Sequence, residues 1–430
     1  MIRVFEDERS FLAERGDELF GAGAPSADVL ASVESILARV RAGGDRALVD
    51  LTKELDGVEL EAGDLRVDVK TISQQAAQAS EAIRSVLANA AANIRRFHER
   101  QKESSWSFEL EDGSLLGQKI TPLDTVGVYV PGGKAIYPST VLMNVIPAQI
   151  AGVRRLIVCT PPGTIEKAPA LARALEQLGL REVYRVGGAQ AVAAMAYGTA
   201  TVPRVDKIVG PGNAYVTTAK KLLYGTVGID SLAGPSEIVV LADAGADPSY
   251  VAADLLSQAE HGSGNERAIL VSTSPELVRA VGDEIERQLA DLPRAAAIRT
   301  VLERHGAAVV VADLDAALSL VNRLAPEHLE ILADGAEALA QRVANAGAIF
   351  MGPSSPVPVG DFYAGPNHVL PTGGTARFAS PLGVYDFVKR SSLIRYSRER
   401  LTRDRKDIET FARAEGFEAH ARSIAARFSE

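Results

Sequence analysis

Four of the six histidines in this 430-residue chain stand near an acid or an amide in short polar segments. They are Gln258-Ala259-Glu260-His261, Pro326-Glu327-His328, Asp361 with His368, and Glu415 with His420. Imidazole and carboxylate together make the commonest nitrogen–oxygen metal site and the commonest proton-transfer pair. The chain therefore reads as an enzyme that holds a divalent metal. Gln258 and His261 are spaced i, i+3, on one face near a helix end, which suits one shared ion or a plain capping pair. Pro326-Glu327-His328 reads as the first turn of a helix, where proline is favoured. Its Glu and His diverge, so they would address two parts of one substrate, as base and as water activator, unless the segment is only a solvated helix start. Asp361 follows the proline-rich loop 352–360, a stiff support for an oxygen ligand. Glu415 and His420 are five apart, so on a helix they diverge by roughly 140° unless Gly416 breaks it.

Something must position these groups. Residues 1–105 read as helical, rich in Ala, Leu, Glu and Arg at helical spacing. From 126 onward short apolar runs (126–130, 155–159, 182–186, 207–209, then 237–241, 268–271, 308–311 and 348–351) alternate with helical patterns. That alternation implies parallel βαβ units and two α/β domains. Gly187-Gly188-Ala189-Gln190 and Gly210-Pro211-Gly212-Asn213 each end a strand and open a helix, where backbone amides can cradle phosphate or simply turn. No Gly-x-Gly-x-x-Gly stands at such a junction, so an ordinary dinucleotide fold is not claimed. Lys134 after Gly132-Gly133 has the wrong spacing for a phosphate-binding loop. His98 and His305 read as helix-end or surface residues, and Cys159 as core. After 385 the chain is charged and amphipathic, a C-terminal helix in need of a partner surface.

Composition narrows the class. With 47% hydrophobic and 23% charged residues the chain is an ordinary globular protein. A net charge of −9 argues against nucleic acid or an anionic membrane as main partner. One cysteine excludes an internal disulfide and points to a reducing, cytoplasmic setting. Acids stand at 6 and 7 where a signal peptide carries its apolar stretch, and no run approaches the ~20 residues that span a bilayer.

In order along the chain, Gly127-Val128-Tyr129-Val130-Pro131-Gly132-Gly133, 138–144, 187–191, 210–213, Ala233-Gly234-Pro235-Ser236-Glu237, 257–261, 325–329, 360–362, 365–372 and 414–416 resemble histidinol dehydrogenase. That resemblance spans almost the whole chain. It implies a zinc- and NAD-dependent enzyme that oxidises L-histidinol to L-histidinal and then to L-histidine, reducing two NAD+. It further implies one zinc per subunit on Gln258, His261, Asp361 and His420, and Glu327 and His328 as the acid–base pair. Ser236, His368 and Glu415 would contact substrate beside those six, and Tyr129, Gln190 and Asn213 would contact NAD. The implied fold is two incomplete Rossmann-like domains, 26–128 with 239–382 and the NAD-contacting 129–238. A helical segment (1–25) precedes them, and a tail (383–430) completes the partner's site in an intertwined homodimer. Gly383, where the family pattern has serine, is a minor departure away from the site. The rivals are a paralogue acting on another small alcohol, a metal-dependent hydrolase without nicotinamide, and a non-catalytic metal binder.

Overall fold

The computed structural model describes residues 2–20, 25–132 and 137–428; Gly133 and Lys134 lie outside the described residues. The chain forms two compact units, Met1–Gln101 with Leu123–Phe387, and Lys102–Pro122 with Val388–Glu430. In chain order the described strands are β1 (Arg3–Phe5), β2 (Trp106–Glu109), β3 (Leu115–Pro122), β4 (Thr125–Tyr129), β5 (Arg155–Thr160), β6 (Val183–Arg185) and β7 (Lys207–Val209). Then come β8 (Gly228–Ile229), β9 (Glu237–Ala242), β10 (Arg267–Ser272), β11 (Gly306–Val310), β12 (His328–Leu332), β13 (Ala348–Met351) and β14 (Val388–Arg395).

The first unit holds two all-parallel sheets, ordered β1-β11-β10-β9-β12-β13 and β6-β5-β4-β7-β8. Parallel strands are covered on both faces by crossover helices, so they read as continuous apolar runs. All six residues of β9 are buried. The helices between 27 and 99, which the resemblance groups with 239–382, pack on the five-stranded sheet. Leu48 and Leu51 share a core with Ile157 and Met195, and Ile94 shares one with Val126 and Met143. No helix among the described residues is long and apolar enough to cross a membrane.

The second unit is an antiparallel sheet, β14-β3-β2, followed by helices Arg398–Ala414 and Glu418–Ala425. Gly416, at φ 82°, breaks the helix where the sequence suggested. No residue of Arg398–Ala414 is buried, and Ile394, Phe411 and Phe417 are exposed.

Several local expectations are corrected. Residues 3–5 are a strand on the edge of the six-stranded sheet rather than helix. Pro326-Glu327-His328 does not open a helix: it leads into β12, between β9 and β13. The preceding helix ends at Leu324, and Ala325 at φ 50° turns the chain left-handed before Pro326. The loop 352–360 becomes the helix Val357–Phe362 from its second half onward, so Asp361 rides a helix end, not a loop. His98 is at a helix end but fully buried, not on the surface.

Candidate active site

Both parallel sheets open onto one cleft of about 920 Å³. The five-stranded sheet offers the carboxyl ends of β4 and β7, through Pro131, Gly132 and 210–213. Strand order reverses between β4 and β7, the switch point where open parallel sheets bind ligands. The six-stranded sheet offers the amino ends of β9 and β12, through Ser236, Glu327 and His328.

Glu327 and His328 are held by the main chain of Glu237. Glu327 Oε2 accepts the Ser236 hydroxyl at 2.6 Å and the Glu237 N–H at 2.8 Å. His328 Nδ1 lies 3.0 Å from the Glu237 carbonyl oxygen. A carbonyl only accepts, so Nδ1 carries a proton and Nε2 is the atom left to take one. Nε2 faces Asp361 Oδ1 at 3.3 Å. Burial pushes the Glu327 carboxyl up, against the pull of His328, Ser236 and the Glu237 N–H. Burial works against a charged His328, but Glu327 and Asp361 outweigh it and raise the ring to about 9. Burial would also raise Asp361, yet its bond to His328 and the nearby His368 and His261 hold it below the usual carboxylate range. Gly347 lets β13 start beside this pair, because a Cβ there would stand 2.6 Å from the Glu327 carbonyl oxygen.

Gln258 lies in the last turn of the helix Pro248–Ala259, whose start is fixed by Pro248 and an Asp247 cap on the Ser249 N–H. His261 follows just past its end, with Nδ1 3.0 Å from the Gln258 main-chain oxygen. That leaves His261 Nε2 as a donor atom to a ligand. Gln258 Oε1 is buried without a hydrogen-bond partner. An orphaned acceptor of this kind costs about 1–3 kcal/mol unless something satisfies it. An amide oxygen, an imidazole nitrogen and an ionised Asp361 are a donor set that fits zinc. Among the described residues, no three His, Cys, Asp or Glu side chains are placed to hold a metal ion by themselves. His368 donates through Nδ1 to the Asp361 carbonyl at 2.9 Å, and burial pushes its ring below the ordinary histidine range. Glu415 and His420 belong to the second unit, one as the cap of Arg398–Ala414 and the other within Glu418–Ala425.

On the opposite wall Asn213 caps the helix Ala214–Leu223 through Oδ1 and lines the cleft. Tyr129 and Gln190 are buried behind this wall and are not part of the cleft's lining. The Tyr129 hydroxyl accepts the Gly188 N–H at 3.0 Å, and burial pushes its pKa up to about 12. Gln190 Oε1 is buried and unpartnered.

Sequence reasoning missed three supports of the site. Glu237 supplies both main-chain contacts, and its side chain accepts the Gly373 N–H at 2.9 Å. Lys220 and Asp230 form a buried ion pair. Asp254 and Glu330 form a buried carboxyl pair. The last had a legible signal, since Asp254 is one helical turn before Gln258 and Glu330 is two strand residues after His328.

Residues 22–428 match the protein-family model described as Histidinol dehydrogenase. The chain is 53% identical over 403 residues to the histidinol dehydrogenase of Halalkalibacterium halodurans, covering 93% of this chain and 94% of that protein. It is 49% identical over 424 residues to that of Methylococcus capsulatus, covering 98% and 97%. The crystal structure of histidinol dehydrogenase from Elizabethkingia anophelis superposes with a TM-score of 0.92 at 34% identity, covering 99% of this chain and 98% of that one.

Proposed function

The chain belongs to the histidinol dehydrogenase family, and we propose that Glu327, His328 and Asp361 carry its chemistry at the floor of the cleft. Its function is that of a histidinol dehydrogenase, an NAD-using oxidoreductase of histidine biosynthesis. L-Histidinol enters over the amino ends of β9 and β12, with Ser236, His368 and the partner's tail, through Glu415 and His420, completing its contacts. Asn213 on the 210–213 wall, with Tyr129 and Gln190 behind it, would hold NAD. When bound, NAD+ would supply the hydride acceptor for each of two oxidations.

His328 takes the hydroxyl proton at Nε2 in the first oxidation, because Nδ1 is committed to Glu237. Glu327, fixed by Ser236 and the Glu237 N–H, takes a proton from the water that adds to the aldehyde carbon. Loss of a second hydride from the hydrate so formed, and of the remaining acid proton to solvent, would yield the carboxylate of L-histidine. Gln258, His261 and Asp361, with His420 from the tail, would hold one zinc, which supplies a Lewis-acidic anchor for the imidazole and amine nitrogens of histidinol. A metal held at Asp361 would offset part of the negative charge that raises His328, favouring the neutral ring that a general base needs. An uncovered apolar face on the second unit supports a homodimer in which each tail serves the other subunit.

The observation that carries the reading is the fixed orientation of His328 between Glu237 and Asp361. His328→Ala lowers turnover by roughly 10²-fold or more with zinc content retained. Turnover near wild type would remove His328 from the mechanism.

A further inference from the structure

Across the cleft from Glu327, the turn that carries Asn213 is held by two charged side chains that the chemistry above leaves unused. Lys220 sits on the helix Ala214–Leu223 and Asp230 directly follows β8. Their side chains are only 4% and 3% exposed, and they form an ion pair. Lys220 Nζ also donates to the Gly210 carbonyl oxygen at 2.8 Å. Asp230 Oδ2 accepts the Gly210 N–H at 2.7 Å, and Oδ1 accepts the Ser231 N–H at 2.7 Å. One ion pair thus grips both polar groups of a single glycine.

That glycine needs gripping. Gly210 has φ 112°, a conformation open to glycine, and a Cβ there would stand 2.2 Å from the Tyr129 carbonyl oxygen. It is seated on the end of β4 and begins the 210–213 turn. With no side chain of its own to anchor it, its two peptide planes are free to rotate unless outside groups fix them. The Asp230 carboxylate accepts from Lys220, Gly210 and Ser231 at once, so it is a poor candidate for a ribose hydroxyl acceptor. A buried ion pair adds little net stability, since well-packed apolar residues often do as well. Its use here is geometric.

We propose that Lys220 and Asp230 are positioning residues that latch the Gly210 peptide and so set Asn213 where the nicotinamide dinucleotide is held. The inference rests on the cofactor reading of the 210–213 wall. It deepens that reading by naming what makes the wall rigid without a glycine-rich dinucleotide loop.

The test compares four forms of the full enzyme by initial rates and thermal melting. They are wild type, Lys220→Met/Asp230→Leu, Lys220→Gln/Asp230→Asn, and Asn213→Ala. The apolar pair removes the latch without leaving a buried charge unpaired. It is expected to stay folded with KM for NAD raised about tenfold and KM for histidinol within about twofold of wild type. The Gln/Asn pair keeps hydrogen-bonding groups and is expected to recover part of that loss. If the apolar pair does not fold, the Gln/Asn pair decides on the same readout, with a selective rise in KM for NAD. A folded latch variant with unchanged KM for NAD, beside an Asn213→Ala that raises it, overturns the latch and leaves the cofactor wall standing. Unchanged KM for NAD in Asn213→Ala as well places the failure in the cofactor reading itself.

Discussion

Nδ1 of His328 lies 3.0 Å from the main-chain oxygen of Glu237, whose N–H lies 2.8 Å from Glu327 Oε2. One peptide segment at the start of β9 therefore fixes the tautomer of the base and the orientation of the acid beside it. The two groups remain chemically distinct because each has its own partner on the far side, Asp361 for His328 and Ser236 for Glu327.

The division of labour predicts a split effect. Glu327→Gln keeps an acceptor for Ser236 and Glu237 but loses the proton acceptor for water. Oxidation of histidinal should fall by about 10²-fold, well beyond the fall for histidinol. Equal loss in separate assays of the two substrates would contradict water activation by Glu327.

Beneath the site, burial raises Glu330 to about 9 with help from the neighbouring charge of Asp254, which burial also raises. The folded state then keeps a proton that the unfolded chain releases near the ordinary carboxylate pKa. Stability falls as pH rises across that interval, and the fall ends above about 9. Glu330→Gln, which mimics the protonated acid, should gain melting temperature over wild type progressively from pH 5 to pH 9. A constant difference across that range would show that the pair is not protonated when folded.

The tail proposal has a mixing test. His420→Ala and His328→Ala chains are each expected to be inactive alone. Mixed dimers should regain activity, because one of the two sites combines intact residues from both chains. No rescue in verified mixed dimers would contradict a tail that serves its partner.

Much of this architecture was legible in the chain. The runs 237–241 and 268–271 read as buried parallel strands because continuous Ile, Val and Leu leave no polar face, and the structure makes them β9 and β10. β12 was missed because Pro-Glu before an apolar stretch imitates a helix start, while the left-handed Ala325 that ends the preceding helix leaves no mark on residue type. β14 carries Lys, Arg and Ser on an exposed strand and so lacked the apolar signal. At the site, His328 and Asp361 stood out by residue type, but the roles of Glu237 and Gly210 are main-chain roles. Lys220 and Asp230 are ten residues apart and meet only through the fold.

The central claim is that one site performs two successive oxidations. The most direct measurement counts NADH formed per molecule of limiting L-histidinol, with zinc and excess NAD+ present. Two NADH, with L-histidine as product, is the predicted result. One NADH with histidinal released would contradict it, confining the enzyme to the alcohol step and leaving Glu327 without its water.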